Sequence, residues 1–124
     1  MKVLRLAVLA VMMSACGGKA VPAITVQELK AKIDQKEKFV LLDVREPAEY
    51  AIAKIAGSTL IPLASLPDRL GELDKRAKLI VHCKTGGRSA RAVKLLREKG
   101  YDAVNVTGGI DAWSQSIDSS VPKY

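Results

Sequence analysis

Aromatic residues are scarce in this chain: three Tyr, one Trp and one Phe, 4% of its 124 residues. Runs of basic residues are missing too, although the formal net charge is +7. A nucleic-acid surface interleaves clustered cations with aromatic groups, so no nucleic-acid partner is expected. The positive balance fits small anionic substrates better. Internal repeats and low-complexity stretches are absent, and the length suits a single domain. No apolar run reaches the roughly twenty residues needed to cross a bilayer. Cysteine is limited to two residues and histidine to one.

The N-terminal residues stand apart from the rest. Lys2 and Arg5 make a short basic start, and Leu6 to Met13 is continuously apolar. Residues 1–15 therefore have the layout of a secretory signal peptide. Met13-Ser14-Ala15-Cys16 resembles a bacterial lipobox, in which Cys16 becomes the lipidated N-terminus; Met13 stands where leucine is usual. The alternative is an ordinary signal peptide with a chance cysteine. Each buried CH₂ of an acyl chain contributes about 0.8 kcal/mol, so several chains would anchor the protein firmly. The motif leaves the choice of membrane open; Gly17, rather than aspartate, after Cys16 resembles Gram-negative lipoproteins of the outer membrane, facing the periplasm. Residues 16–24 would then be a lipidated tether and residues 25–124 the folded domain. The membrane would be met through the anchor only. Without Lys2 and Arg5 the charge balance is 18 basic to 13 acidic residues.

A lipidated Cys16 cannot form a disulfide, which leaves Cys83 as a lone thiol in an oxidising compartment. Its surroundings read His82-Cys83-Lys84-Thr85-Gly86-Gly87-Arg88-Ser89-Ala90. An apolar run, Leu79-Ile80-Val81, precedes it and a helical pattern, Ser89 to Lys99, follows. Cys83 thus lies at a strand-to-helix turn. A helix N-terminus supplies unpaired N–H groups and about half a positive charge. Gly86 and Gly87 let the backbone fold tightly and turn its N–H groups inward. Lys84 and Arg88 add full charges. Such surroundings lower a cysteine pKa from ~8.5 to between ~3.5 and ~7.5 and hold an anion. An exposed lone thiol would also be open to oxidation.

The remaining chain alternates helices with strands. Thr25 and Glu28 have capping-box spacing, and Val26, Leu29 and Ile33 then share one helical face. Phe39 to Leu42 reads as a strand buried on both faces, ending in Asp43-Val44-Arg45-Glu46-Pro47. Pro47 suits the first turn of a short helix with Glu49 and Tyr50. Thr59 to Ile61 is a strand, Ser65 to Leu73 a helix, Leu79 to His82 a strand, and Ala103 to Val106 the last strand. Gly100 ends the helix after Cys83. The tail from Ser114 carries little signal. This alternation is that of an α/β fold with a parallel sheet covered on both faces. Sites in such sheets lie beyond the carboxyl ends of strands, where Asp43 and Cys83 both fall.

Four segments together resemble a single-domain rhodanese, a sulfurtransferase. They are Leu42 to Pro47 with Glu49-Tyr50; Ile55 and Gly57 through Pro62; Cys83 to Ser89; and Gly108-Gly109-Ile110 with Ala112-Trp113. They occur in family order from about Thr25 to Trp113. The resemblance implies five parallel strands with helices on both faces. It also implies that Cys83 takes a sulfane sulfur from a small anionic donor such as thiosulfate, becomes a persulfide, and passes the sulfur to cyanide or a thiol. An envelope thiol protein is one such acceptor. The N–H groups of Lys84, Thr85, Gly86, Gly87, Arg88 and Ser89 would cradle the persulfide, Arg88 would close the loop, and Lys84 would help hold the donor. No metal or organic cofactor is implied. Two departures stand out. Ala53-Lys54 replaces the family's frequent Gly-His, which implies a local packing change. Thr85 occupies a position that is often basic in thiosulfate-preferring members, which bears on the donor.

Other residues have plainer readings. His82 adjoins Cys83, but neighbours on a strand point to opposite faces, so a packing role is expected. Asp43, Arg45 and Glu49 are expected to form an internal ion-pair network that supports the loop. Trp113 belongs to the core, and Gly108 and Gly109 to a turn. Phosphatases and arsenate reductases on the same fold have five residues between cysteine and arginine. Here there are four, a cradle for sulfur rather than a tetrahedral oxyanion. A non-enzymatic persulfide carrier, a redox module or a docking module is the remaining alternative.

Overall fold

The structure, a computed structural model, describes residues 20–124. The signal-peptide and Cys16 expectations lie outside the described residues. Five parallel strands form one sheet: β1 (Ala23–Ile24), β2 (Val40–Asp43), β3 (Thr59–Leu60), β4 (Lys78–His82) and β5 (Asp102–Val106), in the order β1-β5-β4-β2-β3. The helices are α1 (Val26–Asp34), α2 (Pro47–Ile52), α3 (Gly87–Glu98) and α4 (Gly109–Ser116).

Periodicity alone gives four of these strands. The fifth, β1, lies within the expected tether, so the sheet begins at Ala23. Two residues are too few to show an alternation, and β1 is held by main-chain pairing to Asn105 and Val106. The capping box forms as expected: Glu28 N–H donates to Thr25 Oγ1 at 3.0 Å and Thr25 N–H to Glu28 Oε1 at 2.9 Å. Ile33 is an exception to the apolar face of α1, being 37% exposed. The helix expected from Ser65 to Leu73 is instead two 3₁₀ segments, Leu63–Asp68 and Leu70–Glu72. Pro67 lies inside the first and supplies no N–H to an α-helical ladder that would begin at Leu63.

Successive side chains of the central strands enter different cores, as the pleat requires. Leu42, Leu79 and Val81 pack with Val93 and Leu96 of α3 on one face. Leu41 and Ile80 pack with Leu29 of α1 and Ile110 and Trp113 of α4 on the other. The chain leaves β2 for β3 on one side and β4 for β5 on the other. The sheet order therefore reverses between these neighbours, a crevice where ligands bind in open α/β sheets. Asp43 pairs in register with His82, so the segments after them emerge side by side.

Candidate active site

Cys83 lies at this reversal point, one residue beyond β4. The loop's outward carbonyls are tied down by α4: Ile110 N–H donates to Cys83 O and Asp111 N–H to Lys84 O, both at 3.0 Å. That contact requires Gly109. A Cβ there would lie 2.6 Å from Cys83 O and 2.5 Å from Lys84 O. With these carbonyls engaged from below, the following N–H groups turn towards the sulfur. Gly86 N–H donates to Sγ at 3.1 Å and Ser89 N–H at 3.4 Å. The turn passes through Gly86 at φ +112°, a conformation that L side chains rarely adopt. Helix α3 thus begins at Gly87, two residues before the expected Ser89, and points its first turn at the thiol.

Ser89 is buried, with its hydroxyl 3.3 Å from Sγ and 2.5 Å from Asn105 Oδ1. Asn105 Nδ2 donates to Gly86 O at 3.1 Å, which fixes the amide so that Oδ1 faces Ser89. The hydroxyl has one proton, for which Asn105 and a thiolate compete. The two backbone donors have no such rival. Burial pushes the Cys83 thiol up, but hydrogen bonds from the Ser89 side chain and from the backbone of Ser89, Gly86 and Thr85 outweigh it. The net pKa lies below the ordinary value.

The flanking cations do less than the sequence implied. Arg88 forms a bidentate pair with Glu49 of α2, at 2.7 and 3.0 Å. The Arg88 hydrogen bond outweighs burial and holds Glu49 down at about 2, while the same contact raises Arg88 above its usual value. Arg88 therefore clasps the loop to α2, as loop closure requires. Lys84 Nζ is bound to both carboxylate oxygens of Asp111, at 2.9 and 3.0 Å, and to the main-chain oxygen of Tyr124 at 2.7 Å. Thr85 is exposed at the loop tip. The expectation of an exposed thiol is corrected: Cys83 keeps 1% of its surface, because it sits on the floor of the loop. Hydrogen bonds from the Ser89 side chain and from the loop backbone, rather than free cations, pull the pKa of this thiol down.

Asp43 and Arg45 form the expected buried support. Arg45 Nη2 lies 2.6 Å from Asp43 Oδ2, Nε is 3.0 Å from both carboxylate oxygens, and Nη2 also donates to Ala53 O at 2.7 Å. Burial opposes the Arg45 charge, but the bonds to Asp43 and Tyr124 outweigh it and raise its pKa. Glu49 joins this network by a different route: its carboxylate serves Arg88, and only its carbonyl approaches Arg45, at 3.4 Å. His82 is fully buried, with Nδ1 3.3 Å from Cys83 O and Nε2 3.8 Å from Asp43 Oδ2. Burial keeps its pKa low, which suits a neutral packing residue.

The family model of the rhodanese-like domain matches residues 25–116. The chain belongs to the rhodanese-like family. The maize adenylyltransferase and sulfurtransferase MOCS3-2 is 41% identical over 109 residues, 82% of this chain but 23% of that protein. The chain thus spans about a quarter of the length of that relative. YtwF of Bacillus subtilis, named as a candidate sulfurtransferase, is 38% identical over 90 residues, which cover 73% of this chain and 87% of that protein. A rhodanese-like domain protein from Staphylococcus aureus is 36% identical, superposes with a TM-score of 0.74, and is covered to 98% by 83% of this chain.

In this rhodanese-like domain three site residues escaped the sequence reading. Asn105 could have been found, since it is the one polar residue within the apolar stretch Ala103 to Val106 of β5. Asp111 hides on a helix whose apolar residues draw attention. Tyr124 lies in a tail without periodicity, yet its hydroxyl accepts from Arg45 Nη1 at 2.8 Å and donates to Glu49 Oε1 at 3.0 Å.

Proposed function

We propose that this rhodanese-like domain is a sulfurtransferase that works through a persulfide on Cys83. The carrying observation is the convergence of Gly86 N–H, Ser89 N–H and the Ser89 hydroxyl on one sulfur at the reversal point of the sheet. In the first step the Cys83 thiolate attacks the outer sulfur of thiosulfate. A new S–S bond forms, the donor's S–S bond breaks, and its electron pair leaves with sulfite. The persulfide anion then occupies the cradle that held the thiolate. In the second step cyanide or a thiolate attacks the outer sulfur, and the bonding pair returns to Sγ. Cyanide leaves as thiocyanate, a thiol as its own persulfide. The names of MOCS3-2 and YtwF support sulfur transfer at this level.

The loop disfavours a phosphatase reading. Four residues separate Cys83 from Arg88, and Glu49 occupies the guanidinium that a tetrahedral oxyanion would need. A sulfur-carrier reading keeps the same chemistry but changes the acceptor to a thiol protein. Thiocyanate formation from thiosulfate and cyanide tests the enzymatic reading: steady turnover that Cys83→Ser abolishes supports it. Absence of turnover beside fast exchange with a thiol protein favours the carrier.

We further propose that the chain is a lipoprotein anchored through Cys16 in the bacterial envelope. The basic start, the apolar stretch and Met13 to Cys16 support this. The described chain enters the sheet at the amino end of β1, the end opposite to Cys83. Labelled palmitate should enter the full chain in a bacterial host, and Cys16→Ser should abolish the label. Equal labelling of both forms contradicts the anchor.

A further inference from the structure

The geometry points to Tyr124 as a specificity-determining residue of the Cys83 site, a ring held across the loop mouth that excludes bulky sulfur donors and admits small anions. The inference rests on Cys83 being the sulfur-handling residue. It begins from a conflict: a reacting thiol needs access, yet Cys83 retains only 1% of its surface.

Tyr124 is joined to Lys84 of the loop directly and to Arg88 through Glu49. On one side its main-chain oxygen accepts from Lys84 Nζ at 2.7 Å, and the same ammonium stands 4.4 Å from the ring centre. On the other its hydroxyl bridges Arg45 and Glu49, the carboxylate that clasps Arg88. Lys84 directly follows Cys83 and Arg88 ends the loop, so a ring joined to both sides spans the opening. The tail is itself secured. Val121 is buried, its carbonyl accepts from Ser114 Oγ at 2.6 Å, and Lys123 Nζ donates to the same hydroxyl at 3.1 Å.

This cover is displaceable. Tyr124 remains 37% exposed, and its contacts are polar, so water or an anion can replace them. A small dianion can take the Lys84 ammonium from the Tyr124 oxygen and reach the sulfur past a slightly shifted ring. A peptide-sized persulfide has to clear the ring altogether. Tyr124 therefore acts on the choice of donor.

The test uses the full chain with Tyr124→Ala and Tyr124→Phe. Alkylation of Cys83 by iodoacetamide, followed on the Cys83 peptide, reads access without sulfur transfer. Removing two hydrogen bonds and the ring should speed it about tenfold in Tyr124→Ala, with Tyr124→Phe in between. The ratio of kcat/KM for glutathione persulfide to that for thiosulfate should rise by a similar factor in Tyr124→Ala. Wild-type alkylation in Tyr124→Ala, or an unchanged donor ratio, overturns the inference. Absence of sulfur transfer in all three proteins overturns the sulfurtransferase reading instead, and alkylation then decides the cover by itself.

Discussion

Cys83 owes its acidity to hydrogen bonds more than to charge. Lys84 and Arg88 are each neutralised by a carboxylate, while Gly86 and Ser89 direct N–H groups at Sγ. The distinction is testable at Ser89. In Ser89→Ala the hydroxyl is lost and both backbone donors remain. Because Asn105 competes for that hydroxyl, the thiol pKa should rise, but by less than the loss of an uncontested bond to a charged group would give. The pH profile of Cys83 alkylation measures this: the rate rises with pH as the thiolate forms, and the midpoint should move upward. Lys84→Ala should move it far less. The reactive residue was legible because a cysteine between a strand and glycines has a local signature. The pairing of its cations was not, since Glu49 and Asp111 lie 39 and 27 positions from their partners.

The elements place this loop between two helix N-termini. Helix α3 supplies donors to the sulfur from one side, and α4 binds the carbonyls of Cys83 and Lys84 from the other. Gly109 is the point of contact, at φ +56° and without room for a Cβ. Gly109→Ala should therefore cost about 2 kcal/mol or more in strain and displaced backbone. Urea unfolding would show it, and Cys83 alkylation would lose its low-pH component. Gly108-Gly109 was legible as a turn, but a turn signal does not say what the turn presses against. The 3₁₀ segments teach a similar lesson. Leu66, Leu70 and Leu73 keep helical spacing, yet Pro67 breaks the hydrogen-bond pattern that the spacing suggests.

Across the whole molecule, the site joins parts of the chain that are far apart: β2 and α2, the β4 loop, β5, α4 and the tail. The Arg88–Glu49 pair closes this assembly and gives stability a defined pH dependence. Glu49 has its ordinary value, 4.5, when unfolded and about 2 when folded. A depressed carboxylate contributes stability that is fully present above 4.5 and is lost as pH falls towards 2. The pair is partly exposed, so solvent limits its size. Glu49→Gln should be less stable than the wild type at neutral pH, and the gap should close between pH 4.5 and 2 in denaturant titrations. The α/β class and four of the five strands were legible because buried strands and capped helices leave periodic marks. β1 and the tail were not: one is two residues long and the other has no repeat, and both are held by partners remote in sequence.

The most direct measurement is the intact mass of the full chain after brief exposure to thiosulfate and removal of excess donor. The account predicts one added sulfur atom, located on the Cys83 peptide, lost on treatment with cyanide or reductant, and absent from Cys83→Ser. An unchanged mass, or an added sulfur that persists in Cys83→Ser, would contradict it.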